Sequence, residues 1–267
     1  MSKLMSESRL MSVSKLTSEL GRKGFGVLSV TATLLLWELI CRAGLVNQSL
    51  LPPPSQIAPA LWKILSSGSF LGPLGQTLGM LLIGYTIACV AGVALGLLMG
   101  CSDYAYGLLE PLVEMIRPVP KPALIPAMVI FLGIGAGMEI TMVAVAALFP
   151  VLINTLQGVR GVDPVLLATA RTLGCSRSET IRKIILPAAL PMILTGMRVS
   201  LGMGLVLVIL AEMLAAESGI GFLILDLQRS FQVRPMYAWI AIMAAVGLVL
   251  NTLFEMIEDR AVPWRAK

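Results

Sequence analysis

Residues 158–187 read GVRGVDPVLLATARTLGCSRSETIRKIILP, and they form a polar segment between long apolar runs. Five cations and two acids lie in this segment, although only 13% of the whole chain is charged. Charged side chains are costly inside a lipid bilayer, so the segment must face water or a partner. The long apolar runs on either side of this segment indicate the class of the protein.

The composition indicates a polytopic membrane protein. Hydrophobic residues make up 57% of the chain, and the mean hydropathy of +0.89 exceeds what a water-soluble core needs. The 267 residues accommodate about six helices of about 20 residues each. We therefore predict an all-α fold with about six transmembrane helices, in which residues 25–257 form one transmembrane domain between cytoplasmic tails at 1–24 and 258–267.

The residue types available exclude several kinds of site. Histidine is absent and the four cysteines are isolated, so neither a zinc site nor a histidine acid/base pair can form. We predict no catalytic residue and no metal ligand. The net charge of +5 comes from cations scattered over loops rather than gathered in a stripe, which argues against nucleic acid as a partner.

Six apolar runs are predicted to cross the membrane as helices, because lipid offers the backbone no other hydrogen-bond partner. They are Phe25–Arg42, Leu74–Gly100, Pro122–Gly133, Ile140–Leu156, Ala188–Ala215 and Tyr237–Ile257. The third run is short and interrupted by prolines, so we expect it to begin as irregular backbone. No small-residue cleavage site follows the first run, which predicts an uncleaved span.

The distribution of cations predicts the orientation. With a cytoplasmic amino terminus, fifteen Lys and Arg residues lie on the inside and four on the outside, leaving Arg198 uncounted within a span. The positive-inside rule then places both termini and segment 158–187 in the cytoplasm.

Small residues recur every four positions in the second run, at Gly84, Ala88, Gly92, Gly96 and Gly100. Such a row lets two helix backbones approach closely, so we predict that it packs against another helix. On the predicted outer face, Pro52–Pro54 lead into a short amphipathic stretch with Trp62 at headgroup level.

Within segment 158–187 the pattern predicts two helices. Asp163 is a plausible N-cap and Pro164 suits the first helical turn. The apolar face of this helix contains Leu166, Leu167, Ala170 and Leu173, and Gly174 ends it. A second helix, capped by Ser176 or Ser178, is predicted to run to Leu186, after which Pro187 starts the next span.

The same residues resemble the EAA motif of bacterial ABC-importer permeases. That motif has Glu-Ala-Ala, a glycine and then Ile-x-Leu-Pro, and here Ala168-Thr169-Ala170, Gly174, Ile184 and Leu186-Pro187 stand at those spacings. Ala168 replaces the acid and Thr169 the first alanine, so the contact made by that acid is missing. The resemblance implies a cytoplasmic coupling helix that docks on a separate ATPase.

The resemblance to taurine, sulfonate and nitrate-type permeases extends over nearly the whole chain after about residue 30. It is carried by the runs LPPPS at 51–55, RPVP at 117–120, GIG at 133–135, TGMR at 195–198 and AEM at 211–213. It implies a type I importer fold in a bacterial inner membrane. The implied partners are a second permease copy, two copies of an ATP-binding protein and a periplasmic or lipid-anchored substrate-binding protein.

The resemblance also implies that this chain binds no cofactor, and that the partner ATPase uses ATP and Mg. The sequence contains no GxxxxGK[ST] phosphate loop, so we expect no ATP hydrolysis by this chain.

Two ionisable residues inside the fifth run are candidates for the substrate path. Arg198 could offer a bidentate contact to an anion, or pair at the inner surface. Glu212 is predicted near the outer mouth, where a structural hydrogen bond or a gate contact is favoured.

Several functions remain open at this level. An organosulfur anion such as taurine or an alkanesulfonate is the first expectation for the solute, with nitrate, bicarbonate or a thiamine-precursor-like compound as alternatives. A self-sufficient secondary transporter would need coupling-ion carboxylates at mid-membrane or an inverted repeat, and neither is visible. An intramembrane enzyme is the weakest reading, because its nucleophile and base would have to lie deep in the bilayer.

Overall fold

The computed structural model describes residues 25–26 and 28–264, so the whole of the predicted amino-terminal tail, 1–24, lies outside the described residues. The described residues form helices and no strands. The helices are α1 (28–42), α2 (Pro54–Ser67), α3 (Leu71–Cys101), α4 (Asp103–Ile116), α5 (Ile125–Leu132), α6 (Ala136–Arg160), α7 (Pro164–Thr172), α8 (Arg177–Thr180), α9 (Leu186–Ala215), α10 (Ile220–Arg229) and α11 (Val233–Ala261). A 3-10 turn at Lys121–Leu124 precedes α5, and a π turn at Ile181–Ile185 precedes α9.

Four of these helices are long and apolar enough to cross a membrane. They are α3, α6, α11 and the continuous helix Arg177–Ala215 that contains α9. A fifth crossing is possible through α4 and Lys121–Leu132, which bend by 85° at their junction. The described part of α1 covers only 28–42, which is shorter than a span. The described residues thus support four to five of the about six predicted spans.

The centre of the molecule is a stack of three long helices, α3 against α6 and α6 against α9. The predicted row of small residues on α3 forms the first of these contacts. A methyl group added at Gly96 would lie 2.8 Å from the carbonyl oxygen of Leu152, and one at Gly84 would lie 2.6 Å from that of Ile140. The two backbones therefore touch, and the predicted role of the row in helix packing is confirmed.

A similar row on α9 packs against the other side of α6. A methyl group at Gly196 would lie 2.8 Å from the carbonyl oxygen of Pro150, and Ser200 is fully buried. Small residues on both outer helices of the stack thus let α6 lie close between them, which fixes the relative positions of the three long helices.

Two helices were absent from the sequence prediction. Helix α4 lies where a connection was expected, because Pro111 and three acids interrupt its apolar pattern. Helix α10 contains Asp226 and Arg229 and is too short to be recognised as a span. Helix α4 is capped by the Ser102 side chain and contacts α3, and α10 contacts α9 and α11.

The helices have two recognisable ends. At one end, the carboxyl ends of α3 and α6 meet segment 158–187. At the other, α2, α10 and the start of α11 share an apolar cluster that includes Ile57, Ile220, Trp239 and Ile242. Segment 158–187 therefore lies at the end of the molecule opposite α2 and α10.

Candidate functional site

Segment 158–187 folds into a short helix with both ends closed by local hydrogen bonds. The Asp163 carboxylate accepts a hydrogen bond of 2.8 Å from the Val165 backbone N–H, and Pro164 occupies the first turn. At the other end Gly174 has φ +72°, and the next residue, Cys175, donates its N–H to the Ala170 carbonyl. This arrangement is a Schellman motif, so Gly174 ends α7 as predicted.

The apolar face of α7 is divided between the interior and the surface. Ala170 is buried, and it is the only one of the predicted apolar set that is. Leu173 was predicted to pack, but 75% of it is exposed, together with Val165 and Leu166. Because apolar side chains clustered on a polar segment are unfavourable in water, these three form a candidate docking surface, which we call the α7 patch.

The two residues that depart from the EAA pattern are also exposed. Ala168 and Thr169 lie on the surface of α7, and the Thr169 hydroxyl donates to the carbonyl of Val165 within the same helix. No carboxylate stands at this position to bind a partner. Docking through α7 therefore has to use other exposed groups of this helix, which are its apolar side chains, its threonines and Arg171.

Helix α8 begins with a capping box. The Ser176 hydroxyl and the Glu179 carboxylate each satisfy the backbone N–H of the other residue. Helix Arg177–Ala215 has 39 residues and is about 58 Å long, far more than the membrane core, so this first turn lies outside the lipid. Hydrogen bonds from Lys183 and Ser176 lower the pKa of the Glu179 carboxyl to about 2.

Pro187 lies in the first turn of α9, as predicted, but no break separates α9 from α8. The backbone N–H of Leu186 bonds the carbonyl of Ile181, which is the five-residue spacing of a π turn. Helix α8 therefore continues through this turn into α9, with Pro187 in its first turn. Because proline cannot donate an N–H, the locally widened helix accommodates it without a break.

Ile184 and Leu186, the other two positions of the motif, are half-buried. Leu186 packs against a cluster formed by Val159, Ala189 and Ile193, which joins the end of α6 to the start of α9. Leu186 thus joins the segment to the helix core and is not part of the segment's exposed surface.

Two arginines tie the segment to α3 and α4. Arg177 donates a hydrogen bond of 3.0 Å to the Cys101 carbonyl at the end of α3. Arg160 lies 3.2 Å from the Asp103 carboxylate and stacks 3.6 Å above the Tyr106 ring. A displacement of α8 would therefore act on the end of α3 through Arg177, while Arg160 ties the end of α6 to α4.

Arg198 is paired within the chain. Its guanidinium group contacts Glu255, donates 3.1 Å to the Asn251 side chain and lies 3.8 Å from Glu258, all on α11. Of the two roles considered for Arg198, this geometry supports pairing between helices. Its place in a substrate path stays a prediction.

Glu212 is fully buried at the far end of α9. Its carboxylate accepts a hydrogen bond of 2.7 Å from the backbone N–H of Gly221 in the first turn of α10. The neighbouring N–H of Ile220 bonds the Thr77 hydroxyl of α3 at 3.0 Å. Glu212 therefore has the structural hydrogen bond that was expected of it.

A cavity of about 630 Å³ lies beside the middle of α6 and α9. Arg117 and Lys121 line it, although both were counted as loop cations in the sequence. The bend between α4 and α5 brings them there, and the RPVPK run that makes this bend was the available signal.

Residues 92–263 match the family described as the inner membrane component of binding-protein-dependent transport systems. This match covers well over half of the chain and includes segment 158–187. The chain belongs to this family. It is therefore a permease of an ABC importer for small solutes, and its role in transport is not enzymatic.

Individual relatives cover nearly all of the permease. The taurine transport system permease protein TauC of Escherichia coli is 33% identical over 247 residues, which is 91% of this chain and 89% of TauC. SsuC of Bacillus subtilis, whose name refers to aliphatic sulfonates transport, is 33% identical over 92% of this chain and 90% of its own. The nitrate import permease protein NrtB of Leptolyngbya laminosa is 31% identical over 85% of this chain and 84% of NrtB.

The permease also shares its fold with a solved transporter. The inward-facing methionine ABC transporter MetNI matches with a TM-score of 0.63 over 74% of this chain and 96% of the other, at 18% identity. The fold is therefore that of type I importer permeases, as the sequence predicted.

Proposed function

We propose that the permease forms the translocation path for a small organosulfur anion and that segment 158–187 couples it to a separate ATPase. The α7 patch carries this proposal, because Val165, Leu166 and Leu173 expose apolar surface on an otherwise polar segment. A soluble partner would remove that surface from water on docking.

The fixed geometry of the segment supports force transmission. Helix α7 has both ends capped, and α8 runs without a break into α9. Through Arg177 the same region is bonded to the end of α3. A partner that moves α7 thus displaces the core helices rather than bending a loose loop.

We further propose that two permease copies assemble with two ATP-binding subunits inside and a substrate-binding protein outside. The exposed apolar side chains of α5, with Ile130 and Phe131 over 80% exposed, offer a face for a second copy or for lipid. ATP and Mg would act only in the ATPase.

The names of TauC and SsuC favour an organosulfur solute, and NrtB makes nitrate the second candidate. Bicarbonate and a thiamine-precursor-like compound have no such support among these relatives. A transport assay with both anions would decide between an organosulfur solute and nitrate.

The test is transport in liposomes that contain the permease, its ATPase and its binding protein. We expect uptake of labelled taurine or ethanesulfonate that requires ATP and both partners, with nitrate as the competing solute. Uptake by the permease alone, driven by an ion gradient, would contradict this proposal and support a self-sufficient secondary transporter.

A further inference from the structure

The cavity beside α6 and α9 has a basic edge and an apolar wall. Phe149 and Met203 contribute to the wall, and Arg117 and Lys121 stand at the edge. The described residues that line it include these two cations and no acid. Because it lies halfway along two long helices, a solute in it would be well inside the membrane.

Lys121 holds the edge of this cavity in place. Its ammonium group donates to the carbonyls of Ile116, Arg117 and Val119, at 3.1, 2.7 and 2.8 Å. It also lies 4.6 Å from the centre of the Phe149 ring. These contacts use all three of its donors and cap the negative end of the α4 dipole, so Lys121 is a positioning residue.

Arg117 retains donors for a ligand. Its side chain is 53% exposed, and its ion pair is with Glu114 at 3.3 Å. A guanidinium group has five N–H donors in a planar fork, which matches two oxygens of one oxyanion. Glu114 leaves most of these donors available and competes with any anion that approaches.

A second cavity, of about 400 Å³, begins where the first one ends. Arg117 and Ile153 line both, and the second is also lined by Glu110, Glu114 and Arg160. Arg160 is the residue that bonds Asp103 beside segment 158–187. The second cavity therefore leads from Arg117 towards the coupling end of the molecule, past two acids.

We propose that Arg117 binds the sulfonate group of a small alkanesulfonate in the first cavity, with the alkyl part against Phe149 and Met203. This inference rests on the proposed function. The second cavity balances Glu110 and Glu114 against Arg117 and Arg160, so beyond Arg117 the anion meets no excess of positive charge and is released. Glu114 weakens the hold by sharing the guanidinium group.

The test compares variants in liposomes that contain the complete transporter, with ethanesulfonate as the probe. Arg117→Gln is expected to lower ATP-driven uptake about tenfold or more, the value of a charged hydrogen bond, while ATP hydrolysis stimulated by the binding protein is retained. Arg117→Lys keeps the positive charge but lacks the planar fork of donors, so its uptake should lie between that of the wild type and that of Arg117→Gln. Glu114→Gln removes the competitor and should lower the KM for uptake.

The matched control is Arg229→Gln, which removes an exposed cation at the end of α10 and should leave uptake unchanged. Equal ethanesulfonate uptake by the wild-type and Arg117→Gln transporters would overturn this proposal and leave the proposed function standing. No ATP-dependent uptake by the wild-type transporter, with any of the three anions, would contradict the proposed function itself.

Discussion

At the scale of single residues, glycines decide how closely the helices pack. A methyl group at Gly96 would lie 2.5 Å from the Cβ of Thr155, whereas one at Gly79, on the same helix, would meet no atom within 4 Å. The four-residue row in the sequence was enough to predict that Gly96 lies in a contact. It could not identify α6 as the partner, because that depends on which helix the chain brings alongside.

Gly96→Ala should destabilise the permease by about 1–3 kcal/mol through overpacking. Gly79→Ala is the control and should be neutral or stabilise by up to about 1 kcal/mol, since alanine favours the helix. Thermal unfolding in detergent, followed by tryptophan fluorescence, measures both. A Gly96→Ala protein that melts with the wild type would show that α3 and α6 are further apart.

Arg198 tests whether a charge within a span serves stability or transport. Arg198→Glu places a third acid beside Glu255 and Glu258 and should lower Tm. The double variant Arg198→Glu/Glu255→Arg restores the pair with opposite sense and should recover part of that loss. An unchanged Tm with a raised KM for solute uptake would instead place Arg198 in the substrate path.

At the scale of elements, the long apolar helices and the capped helices α7 and α8 were predictable, whereas α4 and α10 were not. The end of α9 at Ala215 coincides with its prediction, because a long and mainly apolar run has no alternative to a helix in lipid. The place of Pro187 in the first turn of α9 was predictable, because a proline commonly starts a helix, whereas only the backbone shows that a π turn joins α9 to α8 without a break. The exposure of Leu173 could not be predicted either. The spacing of apolar residues shows which face of α7 is apolar, but not whether that face packs against the rest of the chain.

The turn after α7, at Gly174, can be tested for its role in coupling ATP hydrolysis to uptake. Gly174 has φ +72°, a conformation that most side chains rarely adopt but asparagine tolerates. Gly174→Glu should leave the permease inserted while uptake falls relative to ATP hydrolysis, and Gly174→Asn should retain coupling. The ratio of solute imported to ATP hydrolysed is the measurement. Equal ratios for wild type and Gly174→Glu would show that the turn does not couple.

At the scale of the whole molecule, the family and fold follow from the sequence, whereas the depth of individual residues does not. Arg117 and Lys121 were counted among inside loops, yet they line a cavity beside the middle of α6 and α9. The orientation does not depend on them, since thirteen inside cations still face four outside.

The topology can be checked with reporter fusions. Alkaline phosphatase joined after Ser230 should be active outside the cytoplasm, and the same enzyme joined after Cys175 should be inactive. A green fluorescent protein at the carboxyl terminus should fluoresce, because that end is predicted to be cytoplasmic. The reverse pattern would show that the orientation in the membrane is the opposite of the predicted one. The α7 patch would then lie on the side of the membrane away from a cytoplasmic ATPase.

The central claim is that the α7 patch docks the ATPase, and the most direct measurement is the affinity of the purified permease for its ATPase in detergent. Leu173→Asp should abolish the complex, because a charge replaces a side chain that is 75% exposed here and buried on docking. Ser178→Asp adds the same charge to an exposed position of the segment and should bind like the wild type. Equal affinity of all three proteins would contradict the claim.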